Sequence, residues 1–333
     1  MKVTSTDEVF ELMNAYVPAA AVGAAVELEL FWRLEDRPLG AGAVADALGI
    51  PIRRCRYWLD VLTELGLLKQ SEEGYGPSVT AKEAILEAAG QDTWAVAAEE
   101  ARERVPAIRD LALRITEDGS VWEVQGIAPP DFVGRLKGDA RFARRFTRML
   151  YDWHQELAED LAQTLDLSEV ERVMDLGGGS GVISLALLRR NPQLSSVVVD
   201  LPNVCAEGEV IARENDMHER LTFQAADFLS DDLPSGFGMV LECDVGVYEE
   251  TLFRKVGAAL SRGGRFVIAD RLAPTANAAP PSKLYWAFIS SLRDPEFAVP
   301  TVGDLQGMLS AVGLEPIGEH RLSSGETVIE ARR

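Results

Sequence analysis

The feature that most constrains the fold is a glycine-rich turn between a short apolar run and a helical pattern. The run and the turn read Val173-Met174-Asp175-Leu176-Gly177-Gly178-Gly179-Ser180-Gly181. A second apolar run, residues 197–199, follows later and ends in Asp200. Glycines at such a turn let the backbone approach a ligand closely, and the helix that begins there offers free N–H groups. This arrangement predicts the opening β-α-β unit of a nucleotide-binding fold.

The spacing of the glycines narrows the choice of ligand. A dinucleotide site has the pattern G-x-G-x-x-G, but here Val182 occupies the position of the third glycine. The chain instead has D-x-G-x-G-x-G, which resembles the signature of class I S-adenosylmethionine (SAM) methyltransferases. The carboxylate of Asp175 would oppose a pyrophosphate, yet it suits a cationic ligand. Asp200 can accept hydrogen bonds from both ribose hydroxyls. The sequence therefore predicts a SAM site.

The length, charge and cysteine content limit the classes of protein to which the chain can belong. Its 333 residues suggest two domains, each with a core of its own. A net charge of −20 argues against nucleic acid as a partner, because phosphate binding depends on clustered lysine and arginine. Cys55, Cys205 and Cys243 lie far apart and form neither a disulfide framework nor a zinc motif. We therefore expect a cytoplasmic protein without a metal.

The N-terminal part indicates neither a signal peptide nor a membrane span. The first ten residues lack the basic and apolar regions of a signal peptide. The longest apolar stretch, Val17 to Trp32, is interrupted by Glu27 and Glu29 and predicts a buried helix. We expect no membrane partner. A helix that is apolar on most faces must be covered, and another subunit is the expected cover.

The next pattern is typical of a winged-helix domain. Helices are predicted over residues 41–48 and 52–65, and a hairpin-like stretch follows over residues 67–79. Three arginines at the start of the second helix suggest DNA binding, but two acids follow on the same helix. Winged helices also serve as dimerisation modules. That interpretation agrees better with the apolar helix, and it predicts a homodimer formed through the N-terminal domain.

The second half of the chain alternates strands and helices, which predicts a mostly parallel α/β sheet covered on both faces. The seven strands are predicted at residues 170–175, 195–200, 221–225, 239–243, 265–269, 315–322 and 326–331. Residues 91–165 are predicted to be helical, with the last helix over residues 140–164. The predicted domains are a winged-helix-like dimerisation domain (1–95), a helical connector over the acceptor site (96–165) and a Rossmann-like SAM-binding catalytic domain (166–333).

Several motifs, in this order, resemble those of the small-molecule O-methyltransferases. That family is typified by plant caffeic-acid enzymes and by bacterial polyketide and antibiotic tailoring enzymes. Beyond the glycine turn, the matching motifs are Asp200-Leu201-Pro202, Ala226-Asp227-Phe228 and residues 260–264 and 301–313. The resemblance extends over nearly the whole chain. It implies a homodimeric enzyme of secondary metabolism that converts SAM to S-adenosylhomocysteine.

The predicted SAM-binding residues lie on the turn and at the ends of strands. They are Asp175, Gly177, Gly179, Asp200, Leu201, Asp227, Phe228 and Glu242. The resemblance implies that the two glycines line the methionine part of SAM, while Asp200 and Leu201 hold the ribose and adenine. It also implies that Asp227 accepts from the adenine amino group and that Phe228 packs on the ring. These roles suit an acid and an aromatic side chain.

The chain departs from the family where a catalytic histidine is expected. The family keeps this residue after the fourth strand of the sheet, where it deprotonates the acceptor hydroxyl. Residues 241–250 contain no histidine here, and the glutamate that would orient it is absent before Thr301. Three interpretations remain open: another residue is the base, the acceptor needs no base, or the protein binds SAM for chemistry other than methyl transfer.

The candidate catalytic and acceptor-binding residues come from two regions. His154, in the helix predicted to cover the acceptor, is the first candidate for the base. Glu242, Asp244 and Tyr248 are further candidates near the end of the fourth strand. Asp244 and Asp270 do not amount to a metal-coordinating set. The predicted acceptor wall, which would suit a flat or apolar molecule, consists of Met149, Trp153, His154, Tyr285, Trp286, Phe288 and Met308.

The sequence thus predicts a SAM-dependent methyltransferase that acts on a small, aromatic secondary metabolite. Oxygen is the default acceptor atom, and the missing histidine makes carbon nearly equal to it. The alternatives are a SAM-binding family member with non-methylating chemistry and a winged-helix DNA-binding regulator.

Overall fold

The computed structural model describes residues 3–276 and 278–333. The chain folds into two compact units, residues 1–103 and 104–333. This division is close to, but does not test, the predicted domain boundaries, which stay a prediction.

The N-terminal unit is helical and carries a small two-stranded wing. Its helices are α1 (Thr6–Met13), α2 (Tyr16–Glu27), α3 (Leu30–Arg33), α4 (Ala41–Leu48), α5 (Ile52–Glu64), α6 (Val79–Ala81), a π-helical turn (Lys82–Leu86) and α7 (Gln91–Arg109), which continues into the second unit. Strands β1 (Leu68–Ser71) and β2 (Gly74–Pro77) pair in antiparallel fashion. Phe31, Leu59 and Leu62 are fully buried in the core of this unit. Helix, turn, helix and wing follow the predicted order.

The predicted helix over residues 18–32 is interrupted, which corrects the sequence-based expectation. Glu29 has a φ of 60° and lies between α2 and α3. A left-handed residue stops a right-handed helix because its backbone cannot continue the hydrogen-bond ladder. Ala25 and Val26 are buried, but Tyr16 and Val17 are 70% and 49% exposed. Helix α2 therefore keeps apolar surface that its own unit does not cover.

Within the described residues, we find no single helix whose length and apolar composition would let it cross a membrane. Helices α1 and α2 reach that length and composition only as a pair, bent by 43°.

The C-terminal unit is an α/β sheet flanked by helices. Its helices are α8 (Leu111–Arg114), α9 (Val121–Val124), α10 (Phe132–Gly138), α11 (Ala140–Trp153), α12 (Gln155–Thr164), α13 (Val182–Arg190), α14 (Pro202–Glu214), α15 (Glu250–Ala259), a 3-10 turn (Pro281–Lys283), α16 (Leu284–Arg293) and α17 (Val302–Ala311). Its strands are β3 (Arg172–Leu176), β4 (Ser195–Asp200), β5 (Leu221–Ala225), β6 (Phe237–Cys243), β7 (Leu260–Asp270), β8 (Glu315–Arg321) and β9 (Thr327–Arg332).

The strand order β5-β4-β3-β6-β7-β9-β8 confirms the predicted seven-stranded sheet with a final hairpin. Five strands are parallel, and β9 runs antiparallel to both of its neighbours. Asp175 of β3 lies opposite Val198 of β4 and Leu241 of β6. The carboxyl ends of the five parallel strands therefore meet at one edge of the sheet. Ligands of such sheets bind at that edge.

Both faces of the sheet are covered, as the near-continuous apolar strands predict. Val173 and Leu241 pack with α12 and α13 on one face, whereas Met174 and Val240 pack with α15 and α17 on the other. Strand β7 is longer than predicted, because pairing extends from residue 260 to residue 270.

The helix predicted over residues 140–164 is two helices, and the break between them lies at the candidate base His154. His154 lies between α11 and α12 with φ −96° and ψ 12°. Its N–H donates to the carbonyl of Leu150, and its carbonyl accepts from the N–H of Ala158. Its backbone thus ends one helix and starts the next, so its side chain lies at a corner and not along a helix face.

Candidate active site

The glycine-rich turn approaches its neighbours so closely that a side chain would not fit at its first position. Gly177, Gly179 and Gly181 have φ values of 67°, 56° and 73°, which L-residues rarely adopt. A Cβ built on Gly177 would lie 2.8 Å from Cγ2 of Val245 and 3.4 Å from Cε1 of Phe228. The turn therefore brings the segment after β6 and the aromatic ring after β5 to the same place.

Asp175 lies beneath this turn and is completely buried. Its Oδ2 accepts a hydrogen bond of 2.6 Å from Oγ of Ser184, which also contacts Oγ of Ser196 at 2.7 Å. Burial raises the pKa of Asp175 to about 6. A Cβ on Gly178 would lie 2.4 Å from the Asp175 carboxyl carbon. The carboxyl group thus supports the turn from below, and its contribution to SAM binding stays a prediction.

Asp200, at the end of β4, accepts two backbone hydrogen bonds. The N–H of Gly179 donates to Oδ2 at 2.9 Å, and the N–H of Leu201 donates to Oδ1 at 2.7 Å. Burial raises the pKa of Asp200, although both bonds favour the ionised form. The acid predicted to hold the ribose therefore ties the glycine turn to the end of the second strand.

Asp227 and Phe228 follow β5 at the same edge of the sheet. Nζ of Lys137, on α10, donates to Oδ2 of Asp227 at 2.8 Å, and the bond lowers the pKa of that carboxyl group. Phe228 is half-buried against the core and faces Gly177. No sequence motif pointed to Lys137, because its partner lies ninety residues away in the chain.

A second group of polar residues, which we call the carboxylate cluster, lies at the carboxyl ends of β6 and β7. Nε2 of His154 is 3.2 Å from Oδ2 of Asp244. Nζ of Lys283 donates to Asp244 at 2.6 Å and to Asp270 at 2.5 Å. The hydroxyl of Tyr248 donates to the other oxygen of Asp270 at 2.5 Å. The cluster comprises His154, Asp244, Tyr248, Asp270 and Lys283.

The electrostatics of the cluster keep Asp244 ionised and Lys283 charged. Burial alone would raise the pKa of Asp244, but the bond from His154 and the charge of Lys283 outweigh it and hold the pKa well below its usual range. Burial alone would lower the pKa of Lys283, but the charges of Asp270 and Asp244 raise it. Burial and the neighbouring acids raise the pKa of Tyr248 far above its usual value. Tyr248 donates a hydrogen bond to Asp270 here, and its predicted catalytic role stays a prediction.

Glu242 lies on β6, two residues before Asp244 of the cluster. The residue is 1% exposed, and its carboxyl oxygens make no well-formed hydrogen bond among the described residues, although the nearby backbone N–H of Val247 favours its ionised form. Burial, followed by the charge of Asp270, raises its pKa well above the usual value. Burial thus disfavours the ionised form of this carboxyl group, and its predicted roles in catalysis and SAM binding stay predictions.

Two small cavities lie on either side of Lys283. The larger, of about 190 Å³, is lined by Trp153 and His154 among others, and the smaller, of about 50 Å³, by Trp286 and Tyr248. The rings of Trp286 and Phe297 meet edge to face at 5.2 Å.

The other residues of the predicted acceptor wall lie elsewhere. Met149 is buried, Met308 packs against the sheet core, and Tyr285 and Phe288 are 81% and 40% exposed. Their contact with an acceptor stays a prediction.

A larger cavity, of about 530 Å³, lies at the opposite edge of the sheet. It is lined by residues before β3 and at the start of β7, including Arg172 and Arg262. We place the functional site at the carboxyl edge, because the glycine turn, Asp200, Asp227 and the carboxylate cluster all converge there, as ligand sites do in this kind of sheet.

The fold and the site define a SAM-dependent methyltransferase, and comparisons with known proteins agree. Residues 109–313 match the model of the O-methyltransferase domain, and residues 10–84 match the O-methyltransferase dimerisation domain. This chain belongs to the O-methyltransferase family, and it methylates small molecules. The catalytic domain accounts for more than half of its length.

Three known proteins illustrate the similarity. The 3-hydroxy-5-methyl-1-naphthoate 3-O-methyltransferase of Streptomyces sahachiroi is 34% identical over 255 residues, which are 75% of this chain and 72% of that protein. The L-tyrosine C(3)-methyltransferase of Streptomyces lavendulae is 26% identical over 267 residues, 75% of this chain and 70% of that protein. The solved structure of PigF with SAH has a TM-score of 0.84 at 18% identity, over 99% of this chain and all of that chain.

Proposed function

We propose that this chain transfers a methyl group from SAM to a hydroxyl oxygen of a small aromatic metabolite, with His154 as the general base. The observation that carries the proposal is the distance of 3.2 Å between Nε2 of His154 and Oδ2 of Asp244. A base oriented by a buried or half-buried carboxylate is the arrangement of many acid–base enzymes. His154, at the junction of α11 and α12, would thus take the role of the histidine that the family keeps after the fourth strand.

The chain's own residues fit SAM at the glycine turn. Gly177 and Gly179 leave room for close approach, Phe228 lies beside Gly177, and Asp227 follows β5 at the same edge of the sheet. We propose that these residues, with Asp200 and Leu201, hold the donor. Bound there, SAM supplies an electrophilic methyl group on a sulfonium.

The proton of the acceptor hydroxyl has a defined destination in this arrangement. Asp244 is ionised and can only accept hydrogen bonds, so Nε2–H of His154 must be the donor to it. The unprotonated Nδ1 is then free to take the hydroxyl proton. Asp244 stabilises the resulting imidazolium, in the role that a carboxylate plays beside a catalytic histidine.

Carbon methylation is the second candidate, because the related Streptomyces lavendulae protein is named as a C-methyltransferase. A carbon acceptor with an ionisable hydroxyl beside it would use the same base. The two reactions give different products, which NMR of the isolated methylated compound distinguishes.

The assay that tests the proposal measures SAH release from SAM with a panel of phenolic acceptors. His154→Gln is expected to lower turnover at least about tenfold while SAM affinity, measured by calorimetry, stays unchanged. His218→Gln, on an exposed loop of the same unit, is the matched control and should keep full turnover. Full turnover in His154→Gln would sink the assignment of the base, and absence of SAM binding would sink the function.

We also propose that the protein is a homodimer and that it is located in the cytoplasm. The dimerisation domain and the exposed apolar part of α2 support a homodimer, which sedimentation velocity would detect. The three cysteines are all free thiols, which suits the expected cytoplasm.

A further inference from the structure

The cavity of about 190 Å³ beside His154 contains carboxylate oxygens that have no partner among the described residues. It lies between the start of α12 and the turn before β9. The carboxylate of Asp160, on α12, accepts from the hydroxyl of Ser323 and the N–H of Ser324, both at 2.8 Å. These bonds hold the turn against the helix, so the cavity has walls fixed by the fold.

Glu326 is the buried acid of this cavity. Its residue is 5% exposed, and its Oε1 accepts from Nε of Arg271 at 2.6 Å. Its second oxygen, Oε2, is buried without a hydrogen-bond partner among the described residues, as is the hydroxyl oxygen of Ser324. A buried carboxylate oxygen without a donor is costly, so such a group calls for a ligand that donates to it.

Glu156 is the second unpaired acid. It follows His154 by two residues, lines the same cavity and has no ion pair among the described residues. Three carboxylates (Glu156, Asp244 and Glu326) thus face two permanent cations (Arg271 and Lys283), and Lys283 is also shared with Asp270. The cavity carries an excess of negative charge.

From these contacts we infer that the cavity is a subsite for a protonated amine of the acceptor, bound by Glu326 and Glu156. An ammonium has three N–H donors and no acceptor, which matches unpaired carboxylate and hydroxyl oxygens. The half-exposed ring of Trp153 lines the same cavity and offers a face to a cation. The volume is below the roughly 300–1,000 Å³ of a complete small-molecule site, so the cavity holds the amine end of the acceptor.

The inference deepens the proposed function and rests on it for the location of the reacting hydroxyl beside His154. It assigns the substrate class: aromatic hydroxyl compounds that carry a basic amine.

The test compares two probes that differ by one ammonium group, tyramine and 4-ethylphenol. Their affinities for the full-length protein saturated with SAH are measured by calorimetry. Tyramine is expected to bind at least about tenfold more tightly, as a charge-assisted hydrogen bond to the buried carboxylate of Glu326 predicts. Glu156→Gln and Glu326→Gln should each remove most of this preference and leave 4-ethylphenol unaffected. Glu159→Gln, an exposed acid on the same helix outside the cavity, is the matched control and should keep it.

Equal affinities for the two probes, or an unchanged preference in both cavity variants, would overturn the inference. Glu326→Gln loses an ion pair with Arg271, so Glu156→Gln provides the decisive result if the former does not fold. The binding assay does not use turnover. Selective amine binding without any methyl transfer would overturn the proposed function alone, and methyl transfer without amine selectivity would overturn the subsite alone.

Discussion

At the scale of single residues, Lys283 holds the candidate active site together. Its ammonium is within 2.6 Å of Asp244 and 2.5 Å of Asp270, and it lies 5.3 Å from the centre of the Trp286 ring. Without this cation, two carboxylates at adjacent strand ends would repel each other. Lys283 therefore keeps Asp244 in position to orient His154, and we regard it as a positioning residue.

Lys283→Met is expected to destabilise the protein by about 2 kcal/mol, since Asp270 and the partly exposed Asp244 each lose a charge-assisted hydrogen bond. It should also lower turnover, because Asp244 loses the contact that holds it beside His154. The measurements are urea denaturation and turnover. Lys283→Arg keeps the charge and should restore most of both properties, whereas full turnover in Lys283→Met would contradict this role.

At the scale of elements, the glycine turn connects the donor site to the segment that follows β6. Val245 packs against Gly177, and Asp244 precedes it with a left-handed φ of 53°. That backbone conformation is uncommon for a residue with a side chain. It turns the chain so that Val245 reaches the glycine while Asp244 reaches His154 and Lys283. The geometry of one short segment thus couples the donor turn to the carboxylate cluster.

Gly177→Ala is expected to weaken SAM binding and to lower stability more than Gly179→Ala does. Both positions have positive φ and share the backbone cost of about 1 kcal/mol for a non-glycine residue. At Gly177 the added Cβ also meets Val245, whereas nothing lies within 4 Å of a Cβ at Gly179. Calorimetric SAM titrations and thermal unfolding of both variants measure the difference. In the double variant Gly177→Ala/Val245→Ala, part of the loss should be recovered; no recovery would show that the clash is not its cause.

At the scale of the whole molecule, the sheet buries several acids at one edge. Asp175, Asp200 and Glu242 all have pKa values raised by burial. A raised pKa means that the folded state holds the proton more tightly than the unfolded chain. These acids therefore support the fold most at low pH, and their support is lost as the pH rises through the folded-state pKa.

Asp175→Asn tests this linkage. The ordinary pKa of 3.8 and the folded value of about 6 define the pH window. Between pH 4 and pH 7, the wild type should lose about 2 kcal/mol of unfolding free energy relative to the variant. Chemical denaturation at several pH values within that range measures the difference. Asp232→Asn, at an exposed position, is the control and should show no such trend; a pH-independent difference for Asp175→Asn would refute the linkage.

Much of the architecture could be predicted because it depends on local pattern. Apolar runs bounded by turns predicted all seven strands along the chain, and the glycine spacing predicts which turn binds the donor. The errors arose where backbone conformation broke a continuous pattern. Residues 18–32 and 140–164 have helical periodicity throughout, but Glu29 and His154 interrupt the helices. Periodicity reports which side chains are apolar and carries little information about a single residue that ends a helix.

The sequence by itself determined the family and the fold class, and it predicts the donor site, because these depend on residue types at fixed spacing along the chain. Only the tertiary structure decided which groups surround the segment after β6. His154 contacts Asp244, which is ninety residues away in the chain. Lys283 contacts the acids at the ends of β6 and β7, and Glu326, from the final hairpin, lines the same cavity as Glu156. Such contacts are set by sheet order and helix placement, so no local pattern marks them. We expect the glycine turn to bind the donor, and we propose that the groups at the ends of β6 and β7 define the acceptor chemistry.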